Sequence, residues 1–211
     1  MPSRPRSETR PAAAPRGSVR IIGGRLKRSR LAVIGAPGLR PTPDRVRETL
    51  FNWLGQELRG WRCLDLFAGS GALGLEAASR GAAQVDLVER DPRTAAALAL
   101  ACARLQVDGV HVHARDALAF AAQAAAASYD LVFVDPPYTT ELQRAALAQA
   151  ARLLGPDGLA YVEAPGAAQL AQAVDTQLWA IQRSGHAGDV HYALLRRLPH
   201  ANAAGDDAAS H

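Results

Sequence analysis

From residue 61 onward, short apolar runs alternate with longer stretches in which apolar residues recur every three or four positions. Runs of the first kind are typical of buried strands, and the periodic stretches are typical of amphipathic helices. The pattern predicts strands at 62–67, 84–89, 110–114, 129–134 and 158–163, separated by helices at 72–80, 92–106, 116–127 and 140–154. Because strands that alternate with helices of this length form right-handed βαβ units, we expect a parallel sheet.

The pattern changes near the carboxyl terminus. Residues 177–184 (QLWAIQRS) and 190–198 (VHYALLRRL) each resemble a strand, and the segment between them, GHAGD, contains two glycines. Two strands joined by a glycine-containing turn form an antiparallel hairpin. The predicted fold is therefore α/β: a Rossmann-like, mostly parallel seven-stranded sheet that ends in an antiparallel hairpin.

Before residue 61 the pattern is less regular. Segments 18–24 (SVRIIGG) and 25–35 (RLKRSRLAVIG) each resemble a strand, and Gly23-Gly24 at their junction favours a turn. A helix is predicted from about Pro43, since apolar residues recur at helical spacing after it. We expect a small N-terminal extension made of a β-hairpin and a helix.

These observations divide the chain into four segments. Residues 1–17 are rich in Pro, Ala and Arg, which predicts a disordered basic arm. Residues 18–60 form the extension, residues 61–198 the α/β domain, and residues 199–211 a tail that is also predicted to be disordered. The prolines of the arm exclude the amphipathic helix of a transit peptide, and no secretory apolar region is present, so we expect a cytoplasmic location.

Positive charge is concentrated at the amino-terminal end. The formal net charge is +4, but residues 1–47 contain twelve Lys and Arg against two acids, whereas residues 48–211 contain twelve against eighteen. Eleven of the twelve N-terminal cations are arginine, which suits two-pronged phosphate contact. A basic extension on a mildly acidic domain predicts a polyanionic partner, nucleic acid in particular, although such charge can also serve solubility alone.

Composition argues against several other classes of protein. No apolar run approaches the roughly 20 residues that span a bilayer, so we expect no membrane insertion. Cys63 and Cys102 lie within apolar segments and are expected to be buried, reduced thiols. The six histidines form no cluster at metal-ligand spacing, and His111 and His113 alternate as ordinary strand residues do, so no metal site is predicted.

A glycine motif follows the first predicted strand of the domain. Gly69, Gly71 and Gly74 fit G-x-G-x-x-G at the start of a helix, where a Cβ atom would keep the backbone away from a ligand. Glu89, twenty residues after Gly69, ends the next strand, and a carboxylate there can accept hydrogen bonds from both hydroxyls of an adenosine ribose. NAD enzymes and methyltransferases both use this motif, so it indicates a nucleoside-containing cofactor.

Two further acids bear on which cofactor is bound. Asp116 opens the helix after the third strand, where its carboxylate can cap the helix, accept a hydrogen bond from an adenine amino group, or do both. Asp65 lies at the mouth of the glycine loop, where it would repel the pyrophosphate of NAD but not a cationic sulfonium. These strand ends favour S-adenosylmethionine over NAD.

The fourth strand stops at Asp135-Pro136-Pro137-Tyr138. Proline cannot donate to a sheet and fixes its own φ angle, so the two prolines hold the acid and the ring at the carboxyl edge, where ligands bind. The DPPY turn resembles the catalytic motif of amino-group methyltransferases, which alkylate exocyclic amines of nucleobases, and such an amine is a poor nucleophile. Asp135 and the carbonyl of Pro136 can each accept one of its N–H groups, and Tyr138 can stack on an extruded base. A plain turn is the simpler interpretation, but the other strand ends favour methyl transfer.

Several stretches, taken in order, resemble the RsmD family of small-subunit ribosomal RNA guanine-N2 methyltransferases. They are RIIGGRLKRSRL, GLRPTPDRVRETLFNWL, DLFAGSGALGLEAASRGA, VFVDPPY and HYALLRR, and together they cover nearly everything from Arg20 to Arg197. RPTPDRVRETLFNWL is the most specific of them, because the glycine loop and the DPPY turn are shared far more widely. The arm before Gly17 and the tail after Pro199 lie outside the resemblance.

The resemblance implies a class I methyltransferase with S-adenosylmethionine as donor and a guanine N2 in 16S rRNA as acceptor, presented by a small-subunit assembly particle. Matching motifs imply cofactor contact by Asp65, Gly69, Gly71, Glu89 and Asp116, and catalysis by Asp135, Pro136 and Tyr138. The signature residues Thr42 and Arg45 are expected to close over the cofactor or the base. We expect RNA contacts from the basic extension, through Arg20, Arg25, Lys27, Arg28, Arg30 and Arg45, and a monomeric protein.

Three other functions fit part of the pattern. The DPPY turn also serves adenine, so an adenine-N6 DNA methyltransferase is an alternative, although 211 residues leave little room for a separate target-reading region. A nucleic-acid-binding protein with a vestigial cofactor pocket is disfavoured by the intact Asp135 and Glu89. An NAD oxidoreductase is disfavoured by Asp65 and by the lack of an evident hydride-relay group.

Overall fold

The architecture follows the alternation of strands and helices in the sequence. A computed structural model describes residues 17–33, 42–137 and 140–199. In chain order these residues form β1 (Ser18–Arg20), β2 (Arg30–Ala32), α1 (Asp44–Trp53), β3 (Arg62–Asp65), α2 (Ala72–Ser79), β4 (Gln84–Glu89), α3 (Pro92–Leu105), β5 (Val110–Ala114), α4 (Ala117–Gln123), β6 (Tyr129–Val134), α5 (Thr140–Leu153), β7 (Leu154–Ala164), α6 (Ala167–Ala173), β8 (Trp179–Ala187) and β9 (Val190–Arg197).

Seven of these strands form one sheet, in the order β5-β4-β3-β6-β7-β9-β8. The neighbours from β5 to β7 pair in parallel, and β9 pairs antiparallel with both β7 and β8. The predicted fold class is confirmed. Successive strands run outward from β3 in one direction and from β6 in the other, and in open α/β sheets ligands bind outside the carboxyl ends of the strands at such a switch point.

The predicted boundaries agree best for the buried central strands. Strands β4, β5 and β6 coincide with the predicted 84–89, 110–114 and 129–134. Strand β7 begins before the predicted residue 158, because Leu154 already pairs with Tyr129. Helix α4 ends at Gln123 rather than at 127, since the backbone of the next residue is extended.

The prediction of a strand over 25–35 is wrong for residues 25–29. The amides of Arg25 and Leu26 donate instead to the backbone oxygen and the hydroxyl of Ser79, at 2.7 and 2.8 Å. Because the end of α2 accepts these two N–H groups, they cannot pair with a neighbouring strand. The hairpin is therefore confined to β1 and β2, which pair from Ser18↔Ala32 to Arg20↔Arg30, and residues 34 and 35 lie outside the described residues.

The sheet separates two apolar cores, because successive side chains of a strand point to opposite faces. On β6, Leu131 and Phe133 belong to one core and Val132 and Val134 to the other. The first core also contains side chains of the hairpin and of α1, α2 and α3, whereas α4, α5 and α6 cover the second. The extension thus shares a core with the α/β domain, and the predicted segment boundaries stay predictions.

A buried carboxylate attaches the extension to α2. Glu76 is completely buried, and its two oxygens accept the backbone N–H groups of Ile22 and Gly23 at 2.8 and 2.7 Å. Arg80, one turn later on α2, pairs with the same carboxylate at 2.9 Å and lies 4.6 Å from the centre of the Phe51 ring. The segment that follows β1 is therefore held by charge-assisted hydrogen bonds, which are stronger than neutral ones.

A second arginine brings α1 into the same cluster. Arg47 is completely buried; its guanidinium lies 3.5 Å from the Glu76 carboxylate and donates to the carbonyl of Arg20 at 2.8 Å and to Asp44 at 2.6 Å. Charges at this depth are tolerated only when they are paired and hydrogen-bonded. Glu76 is therefore the charge partner of both Arg47 and Arg80.

Replacing Glu76 with Gln should strongly destabilise the protein. The substitution keeps the shape of the side chain but removes the negative charge, which leaves the buried guanidinium of Arg80 without its carboxylate and leaves Arg47 with Asp44 alone. Breaking a buried pair in this way costs about 3–5 kcal/mol. We expect a loss of that size in the free energy of unfolding, measured by urea denaturation.

Glu57→Gln is the matched control. Glu57 pairs with Arg59 on the surface, where the two side chains are 68% and 83% exposed, and such pairs contribute only about 0–1 kcal/mol. Equal losses in the two variants would contradict the role assigned to the buried cluster.

Candidate active site

Acidic side chains end four adjacent strands of the sheet. Asp65 is the last residue of β3 and Glu89 the last of β4, while Asp135 directly follows β6 and Glu163 lies near the end of β7. Parallel strands present their carboxyl ends at one edge, and the register pairs Val134 with Val162, one residue before each of the last two acids. The structure thus brings Asp65, Glu89 and Asp135 together as predicted, and adds Glu163.

The glycine motif forms the turn between β3 and α2. Gly71 caps α2 in the left-handed region, with φ of +79°, a conformation that disfavours residues with a Cβ atom. At Gly74, an added Cβ would lie 2.2 Å from the side chain of Leu87, so glycine allows α2 to approach β4 closely. The predicted strand–loop–helix context of the motif is confirmed, whereas cofactor contact by Gly69 and Gly71 stays a prediction.

The carboxylate of Glu89 fixes the glycine loop. One oxygen accepts the amide of Gly69 at 3.0 Å, and the other accepts the amide of Asp91 at 2.7 Å. The side chain therefore connects the loop after β3 to the turn after β4. Its predicted contact with a ribose stays a prediction, and these two bonds show how the carboxylate is already oriented.

Asp116 caps α4. Its side chain accepts the amide of Ala119 at 3.0 Å, and the residue is exposed at the end of β5. The capping interpretation is thus confirmed, and contact with an adenine amino group, which could use the remaining lone pairs of the carboxylate, stays a prediction.

Asp65 is a buried carboxyl group with a raised pKa. Burial raises the pKa to about 7, and the nearby charges of Glu89 and Glu163 add to the rise, while hydrogen bonds from the amides of Gly74 and Phe67 oppose it. The bond from Gly74 to Oδ2 is 3.1 Å long and ties Asp65 to the first turn of α2. The two charges that act on the pKa of Asp65 are thus both negative.

Asp135 occupies the turn after β6. It is half-buried, Pro136 is buried and Pro137 is exposed, while Tyr138 lies outside the described residues. Burial raises the pKa of Asp135 well above its usual value, and repulsion from Glu163 and Asp65 raises it further. A cation or an amine that approaches this turn would relieve the repulsion between these acids.

Glu163 is the site residue that the sequence reasoning missed. The signal was present, because the segment AYVEAP has the same arrangement as VFVDPP, an acid after an apolar run and shortly before proline. Thr42 donates to Oε1 of Glu163 at 2.7 Å and Tyr161 donates to the same atom at 2.9 Å. The side-chain amide of Gln143 donates to the backbone oxygen of Glu163.

The signature residues before and within α1 differ in position. Thr42 is buried and reaches the site through Glu163, whereas Arg45 is exposed on α1. Closure of either residue over a cofactor or a base stays a prediction. Thr42 nevertheless links the extension directly to the edge of the sheet that carries the acids.

The six predicted RNA-contacting residues are all exposed: Arg20, Arg25, Lys27, Arg28, Arg30 and Arg45. Arg20 pairs with Asp44 at 3.3 Å, and the Arg25 guanidinium lies 3.5 Å from the carbonyl of Gln106. They lie on the hairpin, its turn and α1, on the face of the sheet that contains the first core. Whether they contact RNA stays a prediction.

Other predictions about composition can be compared with the described part of the chain. Cys63 and Cys102 are buried free thiols, as expected, and burial raises the pKa of the Cys102 thiol to about 11. Within residues 17–33, 42–137 and 140–199, no group of three or more His, Cys, Asp or Glu side chains is placed to hold a metal ion. No helix among these residues is both long and apolar enough to cross a bilayer.

Comparison with known proteins gives consistent matches over most of the chain. The family model described as Conserved hypothetical protein 95 matches residues 19–196. The chain is 41% identical over 189 residues to Ribosomal RNA small subunit methyltransferase D of Escherichia coli strain K12, covering 86% of this chain and 91% of that protein. The protein of the same name from Haemophilus influenzae is 37% identical over 188 residues, covering 86% and 95%.

Solved structures agree with these matches. The Escherichia coli protein yhhF superposes with a TM-score of 0.75 and 40% identity, covering 86% of this chain and 98% of that one. TrmN from Thermus thermophilus has a TM-score of 0.63 and 22% identity, covering 72% and 48%, and supports the fold alone. The mostly parallel seven-stranded sheet is that of class I methyltransferases.

Replacing Asp65 with Asn should change how stability depends on pH. With a folded-state pKa of about 7 against 3.8, the folded wild type binds an extra proton between these values, so its stability falls as pH rises from 4 to 7. Asn cannot ionise and can still accept the N–H of Gly74. We expect the variant to gain up to about 4 kcal/mol relative to wild type between pH 4 and pH 8.

The measurement is urea denaturation at a series of pH values. Asp157→Asn, at a side chain that is 96% exposed, should parallel the wild type. A difference between the Asp65 variant and wild type that does not vary with pH would refute the assigned pKa.

Proposed function

The chain belongs to the RsmD family, and we propose that it methylates the exocyclic N2 amine of a guanine in 16S rRNA of the small ribosomal subunit, with S-adenosylmethionine as donor. The observation that carries the proposal is the arrangement at one sheet edge. The glycine loop after β3 and the Asp135-Pro136 turn after β6 stand side by side, since β3 and β6 are neighbours. The relatives named Ribosomal RNA small subunit methyltransferase D support the substrate class.

The residues fit the proposed cofactor. The backbone of Gly69 and Gly71 would border it, the Glu89 carboxylate would accept the ribose hydroxyls, and Asp116 would accept the adenine amino group. A pyrophosphate would meet the acids that surround Asp65, whereas a cationic sulfonium is attracted by them. Bound there, S-adenosylmethionine supplies an electrophilic methyl group; NAD chemistry is disfavoured by the same acids.

The acceptor amine would be oriented by the turn after β6. Its lone pair is delocalised into the purine ring, so it needs both N–H groups held in place before it can react. The carboxylate of Asp135 and the carbonyl of Pro136 are the two acceptors, and Tyr138 would stack on the base. Methyl transfer would place positive charge on N2; the carboxylate of Asp135, which would already accept one N–H group, would stabilise that charge and could take the proton that N2 gives up.

The RNA would approach over the extension. The exposed cations of the hairpin, its turn and α1 would form a positive surface, and the apolar side chains of the same elements pack in the first core against the sheet. Thr42 connects this extension to the acids through its hydrogen bond to Glu163. A small-subunit assembly particle in the cytoplasm is the proposed physical substrate, bound by a monomer. An adenine-N6 or DNA product would be an outcome that contradicts the proposal.

Asp135→Ala should abolish most methyl transfer while the protein stays folded. The substitution removes an acceptor that acts on the amine, so single-turnover transfer to small-subunit particles should fall by about 10²-fold or more. The transfer rate should fall less in Asp135→Asn, because the amide oxygen of Asn still accepts one N–H group. The product is identified by mass spectrometry of the nucleosides and should be N2-methylguanosine.

The control measurements separate catalysis from folding and cofactor binding. Thermal stability should not decrease in the Asp135 variants, because they remove a carboxyl group whose ionisation burial disfavours, and calorimetric affinity for S-adenosylmethionine should stay nearly unchanged. Asp157→Ala, on the surface, should have wild-type activity. Full activity in Asp135→Ala would refute the proposed mechanism, and a methyl group on adenine N6 would refute the proposed substrate.

Cations in the turn of the hairpin should contribute to RNA affinity through phosphate contact. Single replacement of Arg25, Lys27 or Arg28 by Ala should lower the slope of log affinity against log salt by up to about 1, and the triple variant by up to about 3. Each is exposed, so folding should not change. Binding of 16S rRNA is measured by fluorescence anisotropy at a series of salt concentrations.

Arg144→Ala provides the control, since Arg144 is exposed on α5, which covers the opposite face of the sheet. Its salt slope should equal that of wild type. A wild-type slope in the triple variant would show that the N-terminal cations only aid solubility.

A further inference from the structure

Glu163 stands beside the catalytic turn on the neighbouring strand. β6 and β7 pair in parallel with Val134 opposite Val162, so Asp135 and Glu163 are the next residues on adjacent strands, which lie about 4.8 Å apart. Burial raises the pKa of Asp135, and the nearby charge of Glu163 raises it further. No step proposed so far uses Glu163 to contact the base.

The hydrogen bonds of Glu163 occupy only one of its oxygens. Thr42 and Tyr161 both donate to Oε1, and among residues 17–33, 42–137 and 140–199 no hydrogen bond or ion pair reaches Oε2. The residue is only 6% exposed, and the Arg47 guanidinium acts on it at longer range. Oε2 therefore keeps lone pairs that neither Thr42 nor Tyr161 uses, and it can accept a hydrogen bond from a ligand.

Guanine offers such a donor next to its amine. Its N1 carries a hydrogen and is bonded to the same carbon as N2, so the base presents three N–H hydrogens along one edge. Two are on the amine, which Asp135 and the carbonyl of Pro136 would engage, and the third is on N1. Adenine has no hydrogen on its N1, and 2-aminopurine carries the same N2 amine as guanine but an N1 lone pair, which a carboxylate would repel.

We propose that Glu163 determines the specificity for guanine, with Oε2 accepting the N1–H group of the target base while Thr42 and Tyr161 hold Oε1. The inference rests on the proposed function and deepens it. Asp135 would orient the reacting amine, and Glu163 would identify the ring that carries it. Thr42 is then a positioning residue, because its hydrogen bond lets the extension orient the Glu163 carboxylate toward guanine.

The test compares guanine with 2-aminopurine at one position. The methylated guanosine is first located on small-subunit particles treated with wild-type protein. A synthetic RNA segment with 2-aminopurine at that position is then ligated into 16S rRNA, and the product is assembled into particles. Single-turnover transfer to each particle is measured, with products identified by mass spectrometry. Wild type should favour guanine by about 10²-fold or more, because a site built to accept an N–H group rejects an analogue that lacks it.

Glu163→Gln should narrow this preference by about 10²-fold. Thr42 and Tyr161 donate to the Oε1 position and would hold the amide oxygen of Gln there, so its NH2 group faces the base. This group can donate to the N1 lone pair of 2-aminopurine but meets the N1–H of guanine, so transfer to guanine should fall and transfer to 2-aminopurine should be retained or rise. Tyr161→Phe is the matched control. It removes a donor to Oε1 and leaves Oε2 in place, so it should lower both rates without changing their ratio.

The outcomes distinguish the inference from its premise. Equal loss on both bases in Glu163→Gln would mean that Glu163 only supports the structure and would overturn the inference, as would an unchanged guanine rate. The inference would also be overturned if the wild-type protein methylated 2-aminopurine as fast as guanine. This comparison needs no variant, so it holds even if Glu163→Gln does not fold. Absence of N2-methylguanosine from the wild-type reaction would instead refute the proposed function.

Discussion

The buried ion pairs of Glu76 determine how the rest of the structure is arranged. This carboxylate accepts two amides of the extension and pairs with Arg80 and, through α1, with Arg47. Because none of these charges can be buried alone, the hairpin, α1 and α2 dock as one unit. Docking of α1 in turn places Thr42 against Glu163 at the carboxyl edge of the sheet. The contact between Thr42 and Glu163 thus depends on a charge cluster that is separate from the acids at the strand ends.

The site itself has the opposite electrostatic character. Burial raises the pKa of Asp65, Asp135 and Glu163, and the charge of Glu163 raises the pKa of Asp65 and Asp135 further, so these carboxyl groups are costly to ionise together. A sulfonium and an amine that acquires positive charge both lower that cost. In the proposed reaction these acids would therefore favour both the sulfonium of the donor and the amine that acquires positive charge, and the glycine loop would let the backbone approach the donor.

Much of this arrangement could be predicted from local patterns. The sequence predicted strands β4, β5 and β6 and the strand–loop–helix context of the glycine motif correctly. Apolar periodicity, glycine and proline determine the backbone conformation of residues close to them in the chain. The turn at 25–29 was not predicted, because its amides bond to Ser79, far along the chain. Glu163 was missed for the same reason: its importance comes from pairing of β6 with β7 and from Thr42, 121 positions away. Local sequence reveals where strands end, but only the sheet order shows which ends meet.

The contact between Thr42 and Glu163 also has a consequence for synthesis on the ribosome. Thr42 leaves the exit tunnel long before its acceptor, and at the usual 5–20 residues per second the 121 residues between them take about 6–24 s to be made. During that interval α1 can dock on α2 through Glu76, but the edge of the sheet still lacks Glu163. A nascent chain can therefore hold the docked extension before β7 is complete, and premature release would yield a chain in which Thr42 has no acceptor at the edge of the sheet.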